Sequence, residues 1–230
     1  MIKLENTEVM GWEATVRGMR NPMNSWEKSD SYKTHIEDPV TLETADFAYF
    51  IGPDDHKLMM NLAKAGSVDA KFRRMIVVSV DITAPLYWWK EFDTYKVGTV
   101  ANSCSTMHKI HAKEFTLEDF SHEHLDSILH KARLDSELLI DISSNDILLD
   151  VIRALNVYRE LFLATKDKAY WWQMIQLLPS SYNQRRTVML NYEVLAGIYP
   201  KRKDHKLDEW HTFCDWIKKL PYSEIITLEE

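Results

Sequence analysis

Four groups of residues in this chain have the types and spacing that chemistry requires. Cys104 stands between Ser103 and Ser105, with His108 four residues on. A thiol beside a base is a nucleophile's arrangement, because the thiolate and not the thiol attacks; a lone buried cysteine is the plainer alternative. Ser180-Ser181-Tyr182-Asn183 runs into Gln184-Arg185-Arg186. Hydroxyls, free N–H groups at a helix start and two guanidiniums together form a phosphate site, although the same residues would also serve as the basic face of a surface helix. His108 and His111, then His122-Glu123-His124, have spacings that can ligate a metal. The latter group lies in a charged stretch with no fixed carboxylate partner, so solvated histidines and no metal are expected. Lys201-Arg202-Lys203-Asp204-His205-Lys206 reads as a solvated connection between helices or as a further phosphate anchor.

Composition removes other chemistries. None of the six glycines lies within two residues of another, so neither a Walker loop nor a dinucleotide fingerprint can form. There is no G-x-S-x-G elbow, HExxH or CxxC. Two cysteines are too few for a disulfide framework. A net charge of −7 argues against general nucleic-acid binding. The sequence shows neither a leader peptide nor an apolar stretch long enough to span a membrane, so no membrane partner and a cytoplasmic protein are expected. The 230 residues suffice for one domain, 1–230, with a full core.

The elements that must position these groups follow from pattern. Ile2 to Val9 alternates as a strand, and Trp12 to Met19 reads as a helix stopped by Asn21-Pro22. Asn24 to Asp46 is polar and reads as a loop. Pro53-Asp54-Asp55 opens a helix whose apolar face is Leu58, Met59, Leu62 and Ala63, closed by Gly66. Arg74 to Ile82, rich in Val and Ile, reads as a buried strand, and Ala84-Pro85 opens a helix ending near Tyr95. Thr116 with Glu118-Asp119 reads as the cap of a helix over 117–133. Ile147, Val151, Leu155, Tyr158 and Phe162 mark a helix over 144–165. Further helices are expected at 170–178, 185–199 and 207–220, each ended by a proline. The result is α/β (α+β): a small sheet flanked by helices, with a helix-rich C-terminal half. Tyr87-Trp88-Trp89 and Tyr170-Trp171-Trp172 serve as core, subunit contact or ring-stacking platform.

From Ile82-Thr83-Ala84-Pro85-Leu86-Tyr87 onward, the chain resembles the flavin-dependent thymidylate synthases. In that family a strand and a proline-opened helix lead to Arg-His-Arg, a short spacer and a serine. Here the stretch is Thr94-Tyr95-Lys96, eight residues from Val97 to Cys104, then Ser105; the shorter spacing would put Cys104 in the serine's place. The family's later Leu-Pro resembles Leu178-Pro179, and its closing pattern resembles Asn191-Tyr192-Glu193-Val194-Leu195 with Arg202. The order of elements matches from about residue 52 to 210. The resemblance implies FAD held by Thr94, Tyr95, Lys96, Asn191 and Arg202. It implies a pyrimidine nucleotide such as dUMP held by Glu91 and Ser105, with Arg185 and Arg186 as compensating cations, in a homotetramer whose sites form between subunits. Thr94 and Tyr95 carry no charge, a glutamine becomes Glu91, and two motif arginines become Met107 and Glu193. The expected function is therefore nucleotide or flavin binding with methyl transfer to dUMP impaired. The alternative is a non-catalytic binding or assembly protein that reuses the scaffold.

Overall fold

The computed structural model describes residues 2–37, 44–133 and 139–229. Eight strands, β1 (Lys3–Met10), β2 (Tyr32–Glu37), β3 (Thr44–Phe50), β4 (Val77–Pro85), β5 (Val100–Ser103), β6 (His130–Arg133), β7 (Leu139–Ile142) and β8 (Asn183–Asn191), combine with eight helices among the described residues. The helices are α1 (Trp12–Arg20), α2 (Pro53–Ala65), α3 (Leu86–Phe92), α4 (Ser144–Thr165), α5 (Lys168–Leu177), α6 (Tyr192–Arg202), α7 (Asp208–Lys218) and α8 (Glu224–Thr227). The expected α/β class with a helix-rich C-terminal half is what forms. No helix among the described residues is long and apolar enough to cross a membrane.

The chain forms two compact units, one from Met1–Lys3, Ile82–Thr94 and Asn102–Arg186, the other from Leu4–Asp81, Tyr95–Ala101 and Thr187–Glu230. Four strands form one sheet in the order β1-β4-β8-β5. In the first unit, Leu148, Ile152, Leu155 and Met174 of α4 and α5 pack with Ile110, Phe115 and Phe120. The two helices meet through a two-residue link: Lys166 takes a left-handed conformation, and the Asp167 carboxylate caps α5 by accepting from the Ala169 N–H.

The second unit is fastened by a buried ion pair. Asp55, in the first turn of α2, is fully buried, and Arg20, at the end of α1, is 5% exposed. Arg20 Nε donates to Asp55 Oδ1 at 2.6 Å, and the hydroxyls of Ser29 and Ser31 donate to Oδ2 at 2.6 and 2.7 Å. Gly52 has no side chain with which to cap α2. Asp30 does so from outside, accepting from the N–H groups of Asp54 and Asp55. Burial alone would raise the Asp55 pKa, but Ser29, Ser31 and Arg20 outweigh it and hold the carboxyl below its ordinary value.

Three expectations are corrected. Within 24–46 the chain is not all loop, since Tyr32–Glu37 and Thr44–Phe50 pair antiparallel; residues 38–43 lie outside the described ones. β2 is polar enough to resemble a loop, and it presents Tyr32 and Lys33 to solvent. The helix expected over 117–133 is a single 3-10 turn, Leu117–Asp119. Its capping box forms as read, yet Phe120 turns extended to bridge Tyr182, and His130–Arg133 pairs with Leu139–Ile142. The helix expected over 185–199 is a strand followed by a helix, β8 then α6, with Pro200 inside the latter.

The fully satisfied Asp55 carboxylate carries a stability consequence. Asp55→Asn is expected to cost about 3 kcal/mol by leaving Arg20 buried without its counter-charge. Because the folded-state pKa is depressed, the carboxylate's contribution is complete above the unfolded value near ~4 and is lost as pH falls through the folded value. Urea denaturation at about pH 7 and about pH 3.5 should show a steeper acid loss in the native protein than in the variant.

Candidate functional site

The site is built on alternation along β8. Successive strand side chains point to opposite faces: Gln184, Val188 and Leu190 are buried while Arg185, Thr187 and Met189 are exposed. The end of β5 is pinned alongside. The Cys104 N–H donates to the Arg185 carbonyl at 2.9 Å, and Gln184 Nε2 donates back to the Cys104 carbonyl at 2.8 Å. These bonds hold Cys104-Ser105-Thr106 as one wall of a cavity of about 360 Å³ within the first unit. Tyr182 and Arg185 form another wall, and Lys3, Thr83, Lys113 and the Glu118-Asp119 turn complete it.

Three cations, Lys3, Lys113 and Arg185, outnumber the two carboxylates in these walls. Lys113 is ion-paired with Asp119, whose other oxygen accepts from the Thr116 N–H at 3.0 Å. Ser105 Oγ accepts from the His108 N–H at 3.0 Å, which orients its own proton away from that turn. Burial, with Asp119 and Cys104 adding to it, raises the Tyr182 pKa, so its phenol is a donor and not a base near neutrality. Such a cavity, with a guanidinium, two ammonium groups, a serine hydroxyl and a phenol, can hold a small anion with a polar ring.

Of the residues singled out in the sequence, Ser105 and Arg185 come together here. Arg186 does not. Its guanidinium lies 4.1 Å over the Trp89 ring, Nη1 donates to Asp93 at 2.8 Å and Nε to Gln184 Oε1 at 3.0 Å. Nor do Arg185 and Arg186 open a helix, because both lie in β8. Trp88 and Trp89 are 0% and 1% exposed, so neither offers a face to a ligand; Trp89 Nε1 instead donates to the Gln184 carbonyl. Glu91 lies outside the cavity walls, and its carbonyl accepts from the Thr94 hydroxyl at 2.7 Å. His108 meets Ser105 through its main chain. Among the described residues, no group of three or more His, Cys, Asp or Glu side chains could hold a metal.

In the second unit, Arg202 Nε donates to the Tyr95 hydroxyl at 2.9 Å, and its guanidinium lies 4.5 Å from the Trp210 ring centre. Asn191 Oδ1 caps α6 by accepting from the Val194 N–H at 3.0 Å. Lys96 is exposed. Tyr182, from the same stretch as Arg185, and Cys104 line the cavity as well. Lys3, Lys113 and Asp119 joined the site without being singled out for it; the two lysines carry no local signal, since only the fold brings them near.

No family model matches the chain, and no curated protein matches it in sequence. Solved structures do match. The flavin-dependent thymidylate synthase ThyX from Helicobacter pylori, complexed with FAD and dUMP, covers 98% of this chain and 98% of its own at 14% identity and a TM-score of 0.64. A second structure of that enzyme with FAD and dUMP gives 13% identity and the same score over 99% of this chain and 98% of its own. The UMP/dUMP methylase PolB from Streptomyces cacaoi, bound with 5-Br dUMP, gives 14% identity and 0.55 over 99% and 94%. The chain has the flavin-dependent thymidylate synthase fold.

Glu193, which the sequence resemblance sets against an arginine, faces Arg73. Arg73 Nη1 lies 3.7 Å from Glu193 Oε2, with the two side chains 7% and 21% exposed. Burial lowers the Arg73 pKa and Glu193 opposes that shift. Nε and Nη2 of Arg73 are buried with no hydrogen-bond partner, so Glu193 is the charge that makes this guanidinium tolerable.

Gln184→Met keeps the volume but removes the bond to Cys104; amide exchange over 104–108 is expected to accelerate roughly fivefold, as loss of one bond of about 1 kcal/mol implies. Glu193→Leu should cost about 3 kcal/mol by stranding Arg73, whereas Arg73→Met with Glu193→Leu should cost less than Glu193→Leu alone. Urea denaturation of the four members of that cycle reads the difference.

Proposed function

We propose that this chain is a pyrimidine-nucleotide-binding protein, using the cavity between Ser105 and Arg185, and that it lacks the flavin-dependent methyl transfer of the proteins it resembles. The observation that carries the reading is the meeting of the motif serine with Arg185 in a cavity where cations outnumber carboxylates. Its volume suits a nucleoside monophosphate, since small-molecule sites begin at about 300 Å³. In this reading Arg185 engages the phosphate through two parallel N–H donors, with Lys3 and Lys113 adding charge. The Ser105 hydroxyl and the Tyr182 phenol then meet polar groups of the sugar or base. The H. pylori and S. cacaoi structures contain dUMP or its 5-bromo analogue, which agrees with that ligand class.

The residues that the resemblance assigns to FAD do not fit it. Arg202 is engaged by Tyr95 and Trp210, Asn191 by the α6 amide and Thr94 by Glu91. With Arg202 Nε, Asn191 Oδ1 and the Thr94 hydroxyl already committed, Lys96 is the most accessible cation among them for a flavin phosphate, and we derive no flavin step. This engagement also favours the second reading, a non-catalytic binding or assembly protein, and the two are compatible in a homotetramer within the cytoplasm.

Calorimetric titration with dUMP tests the proposal. Saturable binding is expected, weakened at least tenfold by Arg185→Ala, as loss of a charge-assisted bond of about 1.5–3 kcal/mol implies. Arg202→Ala should leave dUMP binding unchanged, and deoxyuridine should bind far more weakly than dUMP. Heat-silent titrations with dUMP and UMP would overturn the reading. Stoichiometric flavin absorbance in purified protein would overturn its second half.

A further inference from the structure

The second unit contains a larger, open cavity, of about 660 Å³, bordered by the start of α1, the β2–β3 hairpin and the segment before α8. Three aromatic rings face it, those of Trp12, Tyr49 and Tyr222, together with Arg17, Lys33 and Glu13. Val9 and Pro221 are shared with an adjoining cavity of about 400 Å³, on which Lys219 and Trp216 border. The aromatic wall is held in place at a cost. Tyr222 has φ +52°, a left-handed conformation that L residues avoid by about 1 kcal/mol. It is retained because its hydroxyl accepts from the Ile51 N–H at 3.2 Å and its ring packs edge-on to Trp12 at 5.2 Å. Gly11, also on the wall, has φ +100°, and a Cβ there would meet the Met75 carbonyl at 2.2 Å, so the turn into Trp12 admits only glycine.

We infer that this cavity is a second ligand site, separate from the Ser105–Arg185 cavity, for a planar aromatic compound bearing a carboxylate or phosphate. Rings of this kind pack edge-on or offset against Trp and Tyr. Arg17 and Lys33 outnumber Glu13, and Lys219 extends the same sign along the groove. Arg17 lies 3.6 Å from Glu13 with both side chains more than half exposed, a contact weak enough to yield to a ligand anion. Burial, with Asp55 and Glu13, raises the Tyr49 pKa, which keeps its phenol a neutral donor.

The test uses the full chain labelled with ¹⁵N at its tryptophan indoles, with the Trp12 signal identified through Trp12→Phe. Titration with 1-naphthyl phosphate, 1-naphthoate and 1-naphthylmethylamine separates phosphate, carboxylate and cation on one ring. The Trp12 signal is expected to move saturably with at least one of the anions and to stay still with the amine. Arg17→Glu with Lys33→Glu, both at exposed positions, should weaken that binding at least tenfold, while Arg185→Ala leaves it unchanged. The inference is overturned if neither anion moves the signal at millimolar concentration, if the amine moves it equally, or if charge reversal has no effect.

Discussion

The two-residue alternation of β8 is the constraint on which the rest of the molecule hangs. It sends Gln184 inward to hold the Cys104 carbonyl and Arg185 outward into the cavity. It also lays Arg186 over Trp89, and it buries Val188 and Leu190. A slip of one residue would exchange these faces wholesale, putting a guanidinium into the core and removing the side-chain amide that holds the Cys104 carbonyl. The order β1-β4-β8-β5 places this strand in the interior of its sheet, where pairing on both sides resists such a slip.

The two units solve a shared problem in different ways. Each must keep cationic side chains where water is scarce. In the first, the Arg186 guanidinium is stacked on an indole and bonded to Asp93. In the second, Arg202 is stacked on Trp210 and bonded to Tyr95, and Arg20 is closed off by Asp55. A flat, weakly hydrated guanidinium suits an aromatic face better than an ammonium does. Trp88, Trp89 and Trp210 are thus core residues, and the latter two also serve as platforms for arginine.

Much of this was legible in the sequence. The 3.6-residue repeat from Ile147 to Phe162 and the acidic start at Pro53 gave α4 and α2 close to their true limits, because those signals are local. The element order that resembles the flavin-dependent thymidylate synthases agreed with the fold found. What failed did so for physical reasons. Arg185 to Tyr199 contains residues acceptable to a helix, and only tertiary pairing makes its first half a strand. Thr116 and Asp119 form the cap that was read, but Phe120 gains more from its bridge to Tyr182 than from continuing a helix. Ser105 and Arg185 were visible as candidates; their meeting with Lys3 and Lys113 depends on contacts far apart in the chain.

The Arg73–Glu193 pair limits which single substitutions this sequence tolerates. An arginine placed alone at position 193 would set two guanidiniums against each other, one of them 7% exposed. Nor could Arg73 be discarded first, for that would leave the Glu193 carboxylate facing an empty space where its counter-charge had been. Each change is disfavoured until the other has occurred. The pair therefore acts as a lock: neither member can be exchanged alone without leaving the other's charge unanswered.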